Sequence, residues 1–179
     1  MADTPLTARW GYHGLFLILG AVLIFWKLLP LNPGPGQIPG PDVLLCLAFA
    51  WVVRRPSLVP VLLAGAMFLA ADILLMRPLG LWTALSILGL EYLRGRSAGL
   101  RDSTFLTEWA TVAAVFLVMT VAQALVLLLF LVPQPGLGLT LIRLLATVLC
   151  YPLVVVLAAR AFGIRKIAPT EADLRGATR

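Results

Sequence analysis

The chain has 179 residues, 61% of them hydrophobic and only 12% charged, with a mean hydropathy of +1.00. Soluble domains are nearer half apolar and a quarter charged, so a water-soluble globule is excluded and the surplus apolar surface calls for lipid as its solvent. The net charge of +6 does not point to nucleic acid, because the basic residues sit at the ends of apolar runs, as topology determinants do, and not along one polar face.

A helix needs about 20 apolar residues to cross a bilayer, fewer where the membrane thins. After a short polar start, 1–13, segment one runs from about Gly14 to Leu31 and stops at Asn32-Pro33-Gly34-Pro35-Gly36, a run that cannot continue a helix. Arg9 followed by this stretch resembles a signal peptide. It is long for an h-region, however, and no A-x-A site follows, so a retained helix is expected. Segment two runs from about Asp42 to Val53, or 38–53 if Gln37 to Pro41 contributes, and stops at Arg54-Arg55-Pro56. Twelve residues rise only about 18 Å, so it either draws on the residues before it or is a partial helix shielded by neighbours. Segment three covers 58–76 and ends at Arg77-Pro78. Segment four, also short, covers 79–94 and ends at Arg94-Gly95-Arg96. Segment five, 105–132, is long and expected to tilt; Pro133-Gln134-Pro135-Gly136 turns the chain into segment six, 137–162. A polar tail, 163–179, is expected to be cytoplasmic and flexible.

The expected fold is therefore an all-α, polytopic integral membrane protein: about six transmembrane helices in a compact bundle over 14–162, with both termini cytoplasmic. Two patterns agree. On the positive-inside rule the inner side takes Arg9, Arg54, Arg55, Arg94, Arg96, Arg101, Arg160, Arg165, Lys166, Arg175 and Arg179, against Lys27, Arg77 and Arg143 outside. Trp10, Trp51 and Trp109 fall near inner ends and Trp26 and Trp82 near outer ends, where interfacial belts belong.

Catalysis needs a nucleophile, an acid/base pair or a metal. His13 is the single histidine, and no H-E-x-x-H, Ser/His/Asp set, Walker lysine or carboxylate run is present. No enzyme activity and no cofactor is expected. Cys46 and Cys150 lie inside apolar runs without metal or disulfide spacing and read as small apolar fillers.

Few ionisable residues lie within the apolar runs. Asp72, Lys27 and Arg143 each fall about 6–9 Å below the expected outer surface, counting 1.5 Å per residue. Charges at that depth are costly and usually paired. Asp72 is accordingly expected to pair with Arg143 or Lys27 and tie segments three, six and one together; for Lys27, snorkelling to the headgroups is the simpler expectation. Glu91 beside Arg94 reads as an i,i+3 interface pair or a partner contact. Thr120 and Gln123 are expected to hydrogen-bond across helices, and Ala66/Ala70, Ala110/Ala114 and Ala159/Gly163 to mark close helix packing.

Two stretches resemble a known family. Pro41-Asp42-Val43-Leu44-Leu45-Cys46-Leu47 with Ala50-Trp51-Val52-Val53-Arg54-Arg55-Pro56, and Asp72-Ile73-Leu74-Leu75-Met76-Arg77-Pro78-Leu79-Gly80-Leu81-Trp82 with Glu91-Tyr92-Leu93-Arg94, resemble the rod shape-determining protein MreD family in its alphaproteobacterial form. The resemblance is densest from Pro41 to Arg96. It implies a non-catalytic inner-membrane scaffold subunit of the cell-elongation machinery, supporting peptidoglycan synthesis, with a fold similar to the S components of vitamin transporters. It implies as partners an MreC-like periplasmic scaffold, MreB, RodA and a class B transpeptidase, besides membrane lipids. Asp42, Asp72, Arg77 and Glu91 match the family's recurrent polar positions; with Arg143 they are the candidate interaction or intramembrane pairing residues. The competing reading is an S-component-like module binding a small molecule or lipid.

Overall fold

Each apolar run becomes one helix, and the described breakers Pro56, Pro78 and Gly80 fall in the turns between them. The computed structural model describes residues 6–29, 40–134 and 136–161, with side chains for 10–29, 40–134 and 136–160. Its elements are α1 (Leu6–Leu28), α2 (Val43–Arg54), a 3-10 turn (Pro56–Leu58), α3 (Val61–Leu74), α4 (Leu81–Asp102), α5 (Phe105–Leu129) and α6 (Leu137–Ala161). No strand occurs among the described residues. Three stretches are long and apolar enough to cross a membrane, Trp10–Leu28, Phe105–Leu129 and Leu137–Arg160, which marks a membrane protein. The other three fall short for different reasons. Helices α2 and α3 have 12 and 14 residues. Helix α4 has 22 but carries Glu91, Arg94, Arg96, Arg101 and Asp102 between its middle and its end.

Several boundaries differ from expectation. Helix α2 does not reach back through Gly40 and Pro41. Asp42, at φ −88° and ψ 75°, is not helical, so the helix starts at Val43. Helix α4 does not stop at Arg94. Single glycines cost only about 1 kcal/mol in a helix, and Gly95 and Gly99 are passed until Ser103 ends α4 and Thr104 caps α5 through its hydroxyl on the Thr107 N–H. Helices α3 and α5 end earlier than expected, at Leu74 and Leu129, by the same device. Met76 (φ 52°) and Leu131 (φ 53°) turn left-handed, and the amides of Arg77 and Val132 close back on the carbonyls of Asp72 and Leu127, which is a Schellman motif. The Pro/Gly run at 32–36, the tail from 163 and Gly163 lie outside the described residues, as do Ile38 and Pro39.

Helix α2 occupies the centre. Leu44 through Arg54 are all buried, as a helix apolar on every side requires. It packs chiefly on α4 and α6 and also touches α1. The tight crossing is at Gly89 of α4. A Cβ there would stand 2.9 Å from both Met119 Sδ and Phe49 Cζ, beside the stacked rings of Phe49 and Phe116, 5.0 Å apart. On α1, Gly20 meets Met67 of α3 in the same way, 2.8 Å from its Sδ. Helix approach is thus set by glycines. The alanines expected to do this do not: Ala66, Ala110 and Ala114 are exposed. The outward faces are apolar at helical spacing, as lipid contact requires: Ile18, Val22, Phe25 and Trp26 on α1, Leu117, Val121, Leu125 and Leu128 on α5, and Leu141, Leu145, Leu149 and Leu153 on α6.

Candidate functional site: ionic hubs at the two ends of the buried helix

The last residue before α2, Asp42, is almost fully buried, and its carboxylate is not used to cap its own helix. Instead it meets three cations from three parts of the fold. Lys27 Nζ at the end of α1 donates to Oδ1 at 3.2 Å. Arg143 of α6 donates to Oδ2 at 3.0 Å. Arg77, between α3 and α4, lies 3.6 Å from Oδ2. The amide of Asp42 donates to Thr147 Oγ1 at 3.0 Å, and that hydroxyl donates back to the Arg143 carbonyl at 2.7 Å. The indole of Trp82 completes the cluster, with the Arg143 and Arg77 guanidiniums over its ring at 5.1 and 6.0 Å. Such stacking adds to an ion pair because the ring face is electron-rich.

Asp72 is not the hub. It is fully buried, but its Oδ2 accepts from the Thr83 amide at 3.1 Å and the Thr83 hydroxyl at 2.7 Å, and it pairs with neither Arg143 nor Lys27. The reason is local. Gly80 (φ 79°) caps the start of α4 with no side chain of its own, leaving first-turn amides open. The carboxylate from α3 satisfies one of them and complements the positive helix end. Lys27 does not simply snorkel, since its ammonium is committed to Asp42.

A second hub, which the sequence reading missed, closes the other end of α2. Arg54 Nη1 donates to Glu108 Oε1 at 2.8 Å and to the Ala50 carbonyl at 3.3 Å. The Tyr151 hydroxyl of α6 donates to the same Glu108 oxygen at 2.8 Å. Glu108 is fully buried and Arg54 nearly so. The available signal was Glu108 itself, a carboxylate one turn into a long apolar run. Glu91 sits half-exposed on Arg94 at 2.6 Å, the i,i+3 pair, and Arg94 also donates to the Val59 carbonyl.

Other sequence-level expectations move. Trp51 and Trp82 are core residues rather than belt residues, whereas Trp10 and Trp26 are exposed. Thr120 donates to Phe116 O within its own helix at 2.8 Å and makes no cross-helix bond among the described residues. With Gln123 it lines a crevice of about 180 Å³ between α5 and α6, walled also by Asp42, Trp82, Arg143 and Thr147. Among the described residues no group of three His, Cys, Asp or Glu side chains could hold a metal ion. Comparisons with protein-family models, with curated proteins and with solved structures find no match to this chain.

Proposed function

We propose that this chain is a non-catalytic membrane scaffold subunit of the bacterial cell-elongation machinery, of the MreD type. In this reading six helices span the inner membrane, the short α2 sheltered by its neighbours, and both termini are cytoplasmic. The Asp42 end then faces the periplasm. The observation that carries the reading is how the buried charges are used. Asp42, Asp72 and Glu108 each fasten one helix to others, which supports a rigid frame. The resemblance of 41–96 to the MreD family supplies the biological role.

The described turns are short, so an MreC-like partner docks mainly on membrane-embedded faces or on the Pro/Gly stretch from Asn32 to Pro41. MreB, RodA and a class B transpeptidase join through the same assembly. Depletion in a rod-shaped host tests the proposal: cells are expected to round up while nutrient requirements stay unchanged. Normal shape after depletion, or a new requirement for one nutrient, overturns it.

A further inference from the structure

The Asp42 hub does not balance its charge. Lys27, Arg77 and Arg143 bring three cations to one carboxylate. Asp72 is the second carboxylate within reach, close enough to act on Arg77. One positive charge is left over. None of the remaining acidic residues of the described chain supplies the missing anion. Glu91 is held by Arg94 and Glu108 by Arg54, and Asp102 ends α4, at the opposite end of that helix from Trp82. The stretch 30–39, which leads into Asp42, contains no acidic residue. A surplus cation at a cluster of side chains only 21–29% exposed attracts a counter-ion.

The crevice of about 180 Å³ opens on this cluster. Its walls divide by chemistry. Arg143, Gln123, Gln134 and Thr140 offer polar groups, and Leu45, Phe116, Leu127, Leu139 and Leu144 offer apolar surface. Gln123 makes no hydrogen bond to the described residues, whereas Gln134 is spent on the Ala124 carbonyl at 2.9 Å. Arg143 engages Asp42 through Nη2, and its side chain is 29% exposed, so the rest of its planar fork remains able to grip a second anion. Guanidinium forks match phosphate oxygens bidentately.

We infer that the crevice between α5 and α6 is a binding site for a singly charged phosphate ester with an apolar body, the phosphate on Arg143 and the body along the leucines and Phe116. The phosphate comes either from a lipid headgroup or from a free small molecule. The site goes beyond the scaffold reading and does not depend on it.

The test uses the full chain in a neutral detergent, with native mass spectrometry and thermal unfolding as readouts. Three probes separate the sources: dihexanoylphosphatidylglycerol, inorganic phosphate, and uncharged dihexanoylglycerol. Saturable one-to-one binding of the phosphatidylglycerol, with phosphate and dihexanoylglycerol each about tenfold weaker or worse, supports a lipid headgroup. Inorganic phosphate binding as tightly shows that the site holds a free phosphate and that the apolar walls add nothing, which overturns the apolar-body half of the inference. Arg143→Gln is expected to weaken binding of the favoured probe about tenfold or more. Because Arg143 also holds Asp42, Thr120→Phe serves as the second variant: it fills the crevice from α5, leaves the cluster untouched, and is expected to abolish binding. No one-to-one adduct with either phosphate probe, equal binding of dihexanoylglycerol, or undiminished binding by Thr120→Phe overturns the inference.

Discussion

Glu108→Gln is the most severe single change the structure offers at constant volume. Arg54 and Glu108 approach to 2.8 Å with side chains 4% and 0% exposed. At an effective dielectric of about 20, unit charges at that separation attract by about 6 kcal/mol. Desolvation consumes most of this, so the pair adds little net stability over an apolar pair. The asymmetry lies in breaking it. Glutamine keeps an oxygen that can accept from Arg54 but removes its countercharge, with the Ala50 carbonyl at 3.3 Å offering a dipole and no charge, and an uncompensated buried charge costs about 3–5 kcal/mol. Arg54→Leu combined with Glu108→Leu removes both charges and leaves the Tyr151 hydroxyl short of this acceptor, a cost of about 1–3 kcal/mol. The double variant is therefore expected to be more stable than Glu108→Gln alone. Reversible unfolding by an anionic detergent titrated into neutral micelles measures all three proteins. A double variant no more stable than Glu108→Gln, or a Glu108→Gln cost below about 1 kcal/mol, the range of exposed pairs, would refute the reasoning.

The same assay orders the two hubs. Asp42→Asn is expected to cost less than Glu108→Gln, since Lys27, Arg77 and Arg143 are 21–29% exposed and can turn toward water or headgroups. Reversing Asp72 and Arg143 together should rescue nothing, because the two do not pair; a double variant better than either single change would contradict the Thr83 assignment. Gly89→Ala is expected to cost about 1–3 kcal/mol, the range for overpacking, with Phe49 and Val115 unable to retreat, whereas Gly20→Ala costs less because only the flexible end of Met67 must move. Met76→Gly is expected to stabilise by up to about 1–2 kcal/mol by relieving a left-handed residue, provided that Met76, which is almost wholly exposed, contributes little packing; an unchanged midpoint would show that the turn carries no strain.

Helix number and order were legible because runs of apolar residues and Pro/Gly breakers are one-dimensional signals. The partners of charged residues were not. Asp72 and Arg143 fall at similar depth in sequence terms, yet depth says nothing about azimuth around the bundle, and Thr83 of α4 takes Asp72 first. Asp42 was visible only as the polar edge of a short run. That Lys27, Arg77 and Arg143 all converge on it depends on which helices neighbour α2. Glu108 was passed over for a related reason: a carboxylate one turn inside a helix start usually reaches water. Here α2 brings Arg54 to it, an arginine that reads in sequence as a topology marker. Small-residue pairs failed because i,i+4 spacing identifies a stripe but not its direction, and the alanine stripes point outward while Gly20 and Gly89 point in.

The shortness of α2 follows from these connections. A helix of 12 residues rises about 18 Å, too little to cross a bilayer facing lipid, and α2 faces none. Both hubs are built on its ends: Asp42 receives α1, α6 and the α3–α4 turn, and Arg54 receives α5 and, through Glu108, Tyr151 of α6. Sliding α2 along its axis would break one hub or the other, and rotating it would break both. Apolar packing alone leaves a buried helix free to change register, because methyl groups are interchangeable; discrete ion pairs at each end do not. The charges that cost most to bury thus fix position more than they add stability. A frame locked in this way holds its outer faces in constant relation.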